Sequence, residues 1–321
     1  MTDVSPFSLL VKPAGAACNL ACDYCFYLDK ASLYKDAPQI MPKDVLERMI
    51  ASYLELPFDS FSIVFQGGEP LLAELDFFRS AADSVRRHLK TGSSAHLAVQ
   101  TNATLMTQEL ARFFADEGWL VGVSVDGPAC IHDAHRRTPS GGGSYARAMR
   151  GISRLREAGA PFNVLCLVTP DNMERPAQIY RHLRDEVGAR WMQFSILREH
   201  VSIAQWDGFL CGVLDAWTAD GDAGRVFVGN IEAAVAYLRL GRADQCIFAD
   251  RCDGHLVVER NGDVYPCDFF VSKETLLGNI MEKGWTELRS SATARRFAET
   301  KCPRHLSRIP HMRFYERMAM L

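Results

Sequence analysis

The chain has 321 residues, 48% of them hydrophobic and 23% charged, with a formal net charge of −3. This is a globular profile with length for one large domain and a small one, and the near-neutral balance gives no footing for a nucleic-acid partner. No apolar run reaches a membrane span, and Met1 to Leu9 shows no basic stretch leading into an apolar core, so a cytoplasmic protein with no membrane association is expected.

The first predicted strand, Ser8–Lys12, runs into a loop carrying Cys18, Cys22 and Cys25, spaced C-x3-C-x2-C. Ten cysteines would be unusual as disulfides in a reducing compartment, so metal or cluster ligation accounts better for most of them. Zinc usually takes four ligands in paired C-x2-C form. Three thiolates on one short loop suit a [4Fe–4S] cluster with one iron left open, which can bind and reduce a small molecule. That points to radical S-adenosylmethionine (SAM) chemistry, with zinc as the alternative.

Strands are then predicted at Ser62–Phe65, His96–Gln100, Val121–Val125, Phe162–Val168 and Trp191–Ser195. Helices are predicted at Lys43–Leu54, Leu75–Leu89, Gln108–Glu117, Ser144–Ala158 and Arg175–Val187. Strands alternating with helices imply parallel βα units, and six such units make an open, TIM-like partial (β/α)6 barrel of the α/β class. In such folds functional residues gather at the C-terminal ends of strands. The cysteine loop, Gly67-Gly68-Glu69-Pro70, Thr101-Asn102 and Ser124 with Asp126 all fall there. Gly67 and Gly68 read either as a tight turn or as backbone offered to a bound SAM amino group. Ser124 and Asp126 read either as caps or as neighbours of the SAM ribose or carboxylate.

Beyond about Trp217 the pattern changes, with one helix at Ile231–Leu240. Two short strands, His255–Glu259 and Asp263–Tyr265, flank Asn261-Gly262, a strong hairpin signal. Cys252 and Cys267 bracket this hairpin, whose return is expected to bring the two thiols close. Cys246, Cys252 and Cys267 read as ligands of an auxiliary [4Fe–4S] cluster or of a zinc that staples the hairpin. Asp268, next to Cys267, reads as a solvated turn carboxylate or as a general base held by the metal site. Cys130, Cys166 and Cys211 read as core residues, His132 and His135 as surface or turn residues, and Gly141-Gly142-Gly143 as a flexible loop. Domains are drawn at 1–220 for the barrel, 221–300 for the auxiliary-cluster unit and 301–321 for a basic tail.

Taken together, Lys12-Pro13, the cysteine loop through Phe26-Tyr27, Phe65 to Pro70, Gln100 to Leu105, Ser124 to Pro128 with His132, Asp133 and Arg136, and Tyr265 to Phe270 resemble the anaerobic sulfatase-maturating enzymes. These are radical SAM proteins with a C-terminal SPASM domain. The resemblance implies that Cys18, Cys22 and Cys25 hold the SAM cluster. Tyr24, Gln66, Gly67, Gly68, Glu69, Ser124, Arg136 and Leu197 contact SAM on the same basis. Tyr27 lines the substrate site, Asp268 takes the substrate thiol or hydroxyl proton, and Cys246, Cys252 and Cys267 hold the first auxiliary cluster. It further implies conversion of a Cys or Ser in a nascent or unfolded sulfatase to Cα-formylglycine, started by a 5′-deoxyadenosyl radical, with a flavodoxin or ferredoxin as electron donor. The pattern departs at the C-terminus, where only Cys302 stands in place of a cysteine-rich run. A frameshift or truncation near Lys301-Cys302 is expected, with the auxiliary cluster completed by Cys302 or by a non-cysteine group, or left incomplete. The rival readings are a SPASM maturase that crosslinks another peptide and an inactive remnant.

Overall fold

The computed structural model describes residues 5–197, 200–241, 251–300 and 313–320. Cys246 and Cys302 lie outside these residues.

Six parallel strands form the framework: β1 (Ser8–Val11), β2 (Ser60–Phe65), β3 (Ser94–Thr101), β4 (Leu120–Ser124), β5 (Phe162–Val168) and β6 (Trp191–Ile196). Between them run α1 (Lys43–Leu54), α2 (Glu74–His88), α3 (Gln108–Asp116), α4 (Ala129–His135), α5 (Tyr145–Ala158) and α6 (Pro176–Arg181), the last continued by a π turn over His182–Glu186. Local chemistry sets the boundaries. Thr107 caps α3 by accepting from the Leu110 N–H, and Gly159 closes α5 at φ 71°, a conformation that spares glycine a Cβ clash.

Each strand buries alternate residues. Leu9, Val11, Ile63, Phe65, Val121, Val123, Val164 and Val168 are fully enclosed and join the helices in one core. Phe65 and Trp119 stack within it at 5.3 Å. The residues between them, such as Leu10, Val64, Ala98, Leu165 and Leu167, are only half-buried. A parallel sheet covered on both faces would bury both sets. Here the second face is left as a partly open concavity, as an open partial barrel requires.

The sheet is extended at both edges, in the order β10-β9-β8-β1-β2-β3-β4-β5-β6-β7. On one side α7 (Ile203–Ala219) and α8 (Gly229–Leu240) frame β7 (Phe227–Val228). On the other, β8 (His255–Val258) pairs parallel to β1, Leu9 opposite Leu256 and Val11 opposite Val258. β9 (Asp263–Tyr265) and β10 (Gly278–Asn279) follow antiparallel. The hairpin thus returns to the first strand. Its Arg260 donates to the carbonyls of Ala14, Gln39 and Tyr34, tying the turn to the cysteine loop. α9 (Trp285–Ser290) and α10 (Ala292–Glu299) cover this edge, and α11 (Arg313–Met318) docks on α7, where Asp207 accepts from Arg313 Nε and the Phe314 N–H.

The structure differs from the sequence reading in the added helices α4, α7, α9, α10 and α11 and in the placing of two side chains. α7 is an unassigned helix of 17 residues, although Ser202 and Gln205 form a capping box at its start. Cys130 is exposed on α4, whose other face is the packed one, so it is no core residue. His132 is only 1% exposed, because α4 turns it inward toward Asp126 and Ser144.

Candidate active site

The C-terminal ends of β1 to β6 present, side by side, Lys12, Gln66 to Gly68, Asn102, Ser124 to Asp126, Thr169 and Leu197. The cysteine loop folds over the first of these ends. Cys22 is buried, while Cys18 and Cys25 are half-buried. Burial pushes the Cys18 thiol up to about 12 and the Cys22 thiol up to about 11. Thiols buried like Cys18 and Cys22 gain their anionic form against a strong positive charge, which iron supplies; Arg136 offsets only part of the burial at Cys22. The Leu20 N–H points at Cys18 Sγ from 3.3 Å and Asn102 Nδ2 from 3.8 Å, donors that suit a ligated sulfur. The donor set therefore fits a three-thiolate iron–sulfur cluster.

The Gly67-Gly68-Glu69-Pro70 turn is stitched to this loop. Gly68 N–H donates to the Gly15 carbonyl at 2.8 Å and Glu69 N–H to that of Ala17 at 2.9 Å. A Cβ on Gly68 would meet the Ala17 oxygen at 2.1 Å, so only glycine lets the two segments touch. Close approach to the cysteine loop is thus a reason for the glycine that the sequence did not disclose. Glu69 is fully buried and its carboxylate accepts from the Leu71 N–H, the Thr101 hydroxyl and the Asn102 N–H. Burial lifts it to about 7, against these donors. Its side chain is a brace that sets Asn102 beside Cys18.

Asp126, fully buried after β4, gathers four donors: Arg136 Nε at 2.9 Å and Nη2 at 3.3 Å, the Tyr24 hydroxyl, and the Leu167 N–H at 3.0 Å. Burial alone would raise it; Arg136 overrides this and holds the carboxyl below its usual range. Tyr24 comes from the cysteine loop, so the network fixes that loop to β4 and α4. His132 extends it. Ser144 donates to the Arg136 carbonyl at 2.6 Å, so its oxygen must accept from His132 Nε2 at 2.9 Å, leaving Nδ1 to face the Asp126 N–H. Burial drives His132 down to about 4, in keeping with this neutral tautomer. Ser124 accepts from Gln100 Nε2 at 3.2 Å, and the Leu197 N–H donates to the Val168 carbonyl.

A second polar cluster lies where β1 meets β8. Lys12, 1% exposed, points its ammonium at Asp268 Oδ2, 3.5 Å away, and over the Tyr27 ring at 4.4 Å. The Tyr27 hydroxyl donates to Glu259 Oε1, while Glu259 Oε2 meets no partner among the described residues. Burial raises the Glu259 carboxyl, offset in part by Tyr27 and Lys12. Asp268 Oδ1 lies 3.9 Å from Cys267 Sγ. Phe26 and Phe269 stack at 4.4 Å at the rim, each more than two-fifths exposed. Tyr27 and Asp268 thus lie on either side of the Lys12 ammonium. Lys12 and Glu259 were missed as members of the cluster. Only the lysine ahead of Pro13 was visible in advance, and nothing in a β-hairpin glutamate marks it as buried.

The family model described as the radical SAM superfamily matches residues 13–183, and that of an iron–sulfur cluster-binding domain, SPASM, matches residues 246–308. A serine-type anaerobic sulfatase-maturating enzyme of Bacteroides thetaiotaomicron is 34% identical over 92% of this chain and 77% of its own length. A cysteine-type enzyme of Clostridium perfringens is 33% identical over 88% of this chain and 80% of its own. Among solved structures, native anSMEcpe with bound AdoMet and Cp18Cys peptide superposes with a TM-score of 0.84 at 31% identity, covering 92% of this chain and 83% of that one. In the described residues no helix is long and apolar enough to cross a membrane.

Proposed function

This chain belongs to the radical SAM superfamily and, within it, to the anaerobic sulfatase-maturating enzymes, and on that premise we propose that it oxidises a Cys or Ser of a sulfatase polypeptide to Cα-formylglycine. The observation that carries the reading is the juxtaposition of a three-thiol loop, fitted for a cluster, with a buried Lys12–Asp268 pair reached from the same strand end.

Cys18, Cys22 and Cys25 would hold the cluster, with SAM over Gln66, Gly67, Gly68, Glu69 and Ser124; Tyr24, Arg136 and Leu197 complete its surroundings. When bound, the pair supplies the 5′-deoxyadenosyl radical that removes hydrogen from the substrate carbon. Arg136 and Tyr24 are engaged by Asp126, so they shape the pocket by holding the cysteine loop. The backbone of the Gly67-Gly68 turn, held against the cysteine loop, is the part offered to SAM. Tyr27 flanks the substrate, its ring packed on Lys12. Asp268 takes the proton from the thiol or hydroxyl, because a carbon radical gives up its second electron readily only beside a deprotonated heteroatom. Lys12 keeps that carboxylate aimed. Cys246, Cys252 and Cys267, with Cys302 or a non-cysteine group, would hold an auxiliary cluster that accepts the electron. A flavodoxin or ferredoxin would deliver the priming electron.

The test is anaerobic reconstitution with iron and sulfide, followed by SAM, reductant and a sulfatase-derived peptide bearing Cys or Ser followed by Pro or Ala and then Arg. Release of 5′-deoxyadenosine together with a hydrazide-reactive aldehyde supports the reading. SAM cleavage with a crosslinked peptide and no aldehyde would replace it with a crosslinking maturase.

A further inference from the structure

One group beside this site has no task in the chemistry above. His255 opens β8, three positions beyond Cys252. A ring nitrogen of it, the Cys267 sulfur and an Asp268 oxygen lie within 4.8 Å of one another. Its Nε2 is closed off from solvent and meets no hydrogen-bond partner among the described residues. A buried polar atom left in that condition is costly, and ligation to a metal centre is one of the few reasons for a fold to keep it. The backbone there is not free to turn the ring away: Leu256, Val257 and Val258 are buried and locked in register against β1.

We propose that His255 is a protein ligand of the auxiliary iron–sulfur centre, grouped with Cys267 and sharing a cavity with Cys252, in the position a further thiolate would otherwise fill. The inference rests on the reading above that these cysteines hold such a centre. Imidazole nitrogen is an established donor to iron–sulfur clusters. Asp268 is the weaker choice for the same position, since its carboxylate faces the Lys12 ammonium. Open space adjoins His255 on the side of Cys252, with Pro266 rather than Cys267 itself on its wall. A cavity of about 370 Å³ is lined by Cys252, His255 and Pro266, with Arg251, Arg289 and Arg295 around it. Guanidinium groups suit a thiolate-bound cluster, whose net charge is negative. A neutral imidazole in place of a thiolate removes one negative charge and raises the reduction potential, the trend seen where histidine replaces cysteine in Rieske centres. For a centre that must take an electron from a substrate radical, a higher potential is the useful direction.

The full chain with Cys18, Cys22 and Cys25 changed to Ala retains only the auxiliary site. Reconstituted anaerobically and reduced without SAM, it should contain iron and sulfide in equal amounts and show nitrogen hyperfine coupling by pulsed electron paramagnetic resonance. His255→Cys should keep the iron and sulfide, lose the nitrogen coupling and move the midpoint potential to more negative values. Cys302→Ser should change none of these. The same loss of coupling on His255→Cys should be seen in the SAM-free wild-type chain, so the result does not depend on the triple variant folding. Absence of nitrogen coupling before mutation, loss of the cluster in Cys302→Ser, or iron bound without sulfide would each overturn the assignment. None of these readouts uses turnover. A wild-type chain that forms aldehyde but fails them removes His255 as a ligand and leaves the proposed function intact.

Discussion

Asp126 and Glu259 are both fully buried carboxylates, one after β4 and the other after β8, and their surroundings differ sharply. Asp126 has four donors, two of them from the Arg136 guanidinium, and is held below the usual carboxylate range; Glu259 has a phenol on one oxygen and no partner on the other among the described residues, and burial lifts its pKa. The first is part of a scaffold that pins the cysteine loop to the barrel. The second belongs, with Lys12, Tyr27, Asp268 and His255, to a region where Glu259 Oε2 and His255 Nε2 find no partner among the described residues. Full satisfaction goes with structure; incomplete satisfaction marks where a ligand or substrate completes the set.

The working region is broken first by Asp268→Asn. Loss of the base should lower aldehyde formation about 10²–10⁴-fold, with SAM binding kept; unchanged peptide oxidation by mass spectrometry would move the base elsewhere. The scaffold is broken by Arg136→Met, which strands a buried anion at a cost of about 3–5 kcal/mol. Thermal unfolding should register it, together with a fall in iron retained by the cysteine loop. His132 sharpens the same side. Its folded pKa of about 4 lies below the ordinary 6.5, so the unfolded chain takes up the proton first. The stability that its neutral form contributes is complete above pH 6.5 and declines as pH falls toward 4. Urea midpoints for the wild type and His132→Gln should converge across that window, and parallel curves would contradict the assignment. The smallest effect belongs to Glu259→Gln. An amide replaces a carboxyl with one unpartnered oxygen, so stability should change by about 1 kcal/mol or less. A loss matching Arg136→Met would erase the contrast between the two regions.

Local periodicity made most of the fold legible. Phe162–Val168 and Lys43–Leu54 are residue-for-residue the elements that alternation and helical spacing indicate. The hairpin followed from Asn261-Gly262. Apart from the 17-residue α7, whose capping box was there to be read, what escaped notice was short or dependent on tertiary packing. α4 has seven residues and no side-chain cap, so its sequence gave little sign that His132 points inward and Cys130 outward. The site was legible where chemistry is encoded by spacing, as in Cys18, Cys22 and Cys25. It was hidden where meaning arises from β1 lying beside β8. That pairing brings Lys12, His255 and Glu259 together from opposite ends of the chain, and no local signal records it.

The central claim is that a radical formed at the cysteine loop takes hydrogen from the target carbon of a bound peptide. The reconstituted chain can be given SAM, reductant and a peptide deuterated at the Cβ of its target Cys or Ser. The expected result is deuterium in the 5′-deoxyadenosine, released in step with aldehyde. Deuterium-free 5′-deoxyadenosine alongside aldehyde, or no 5′-deoxyadenosine at all from a fully iron-loaded chain, would contradict it.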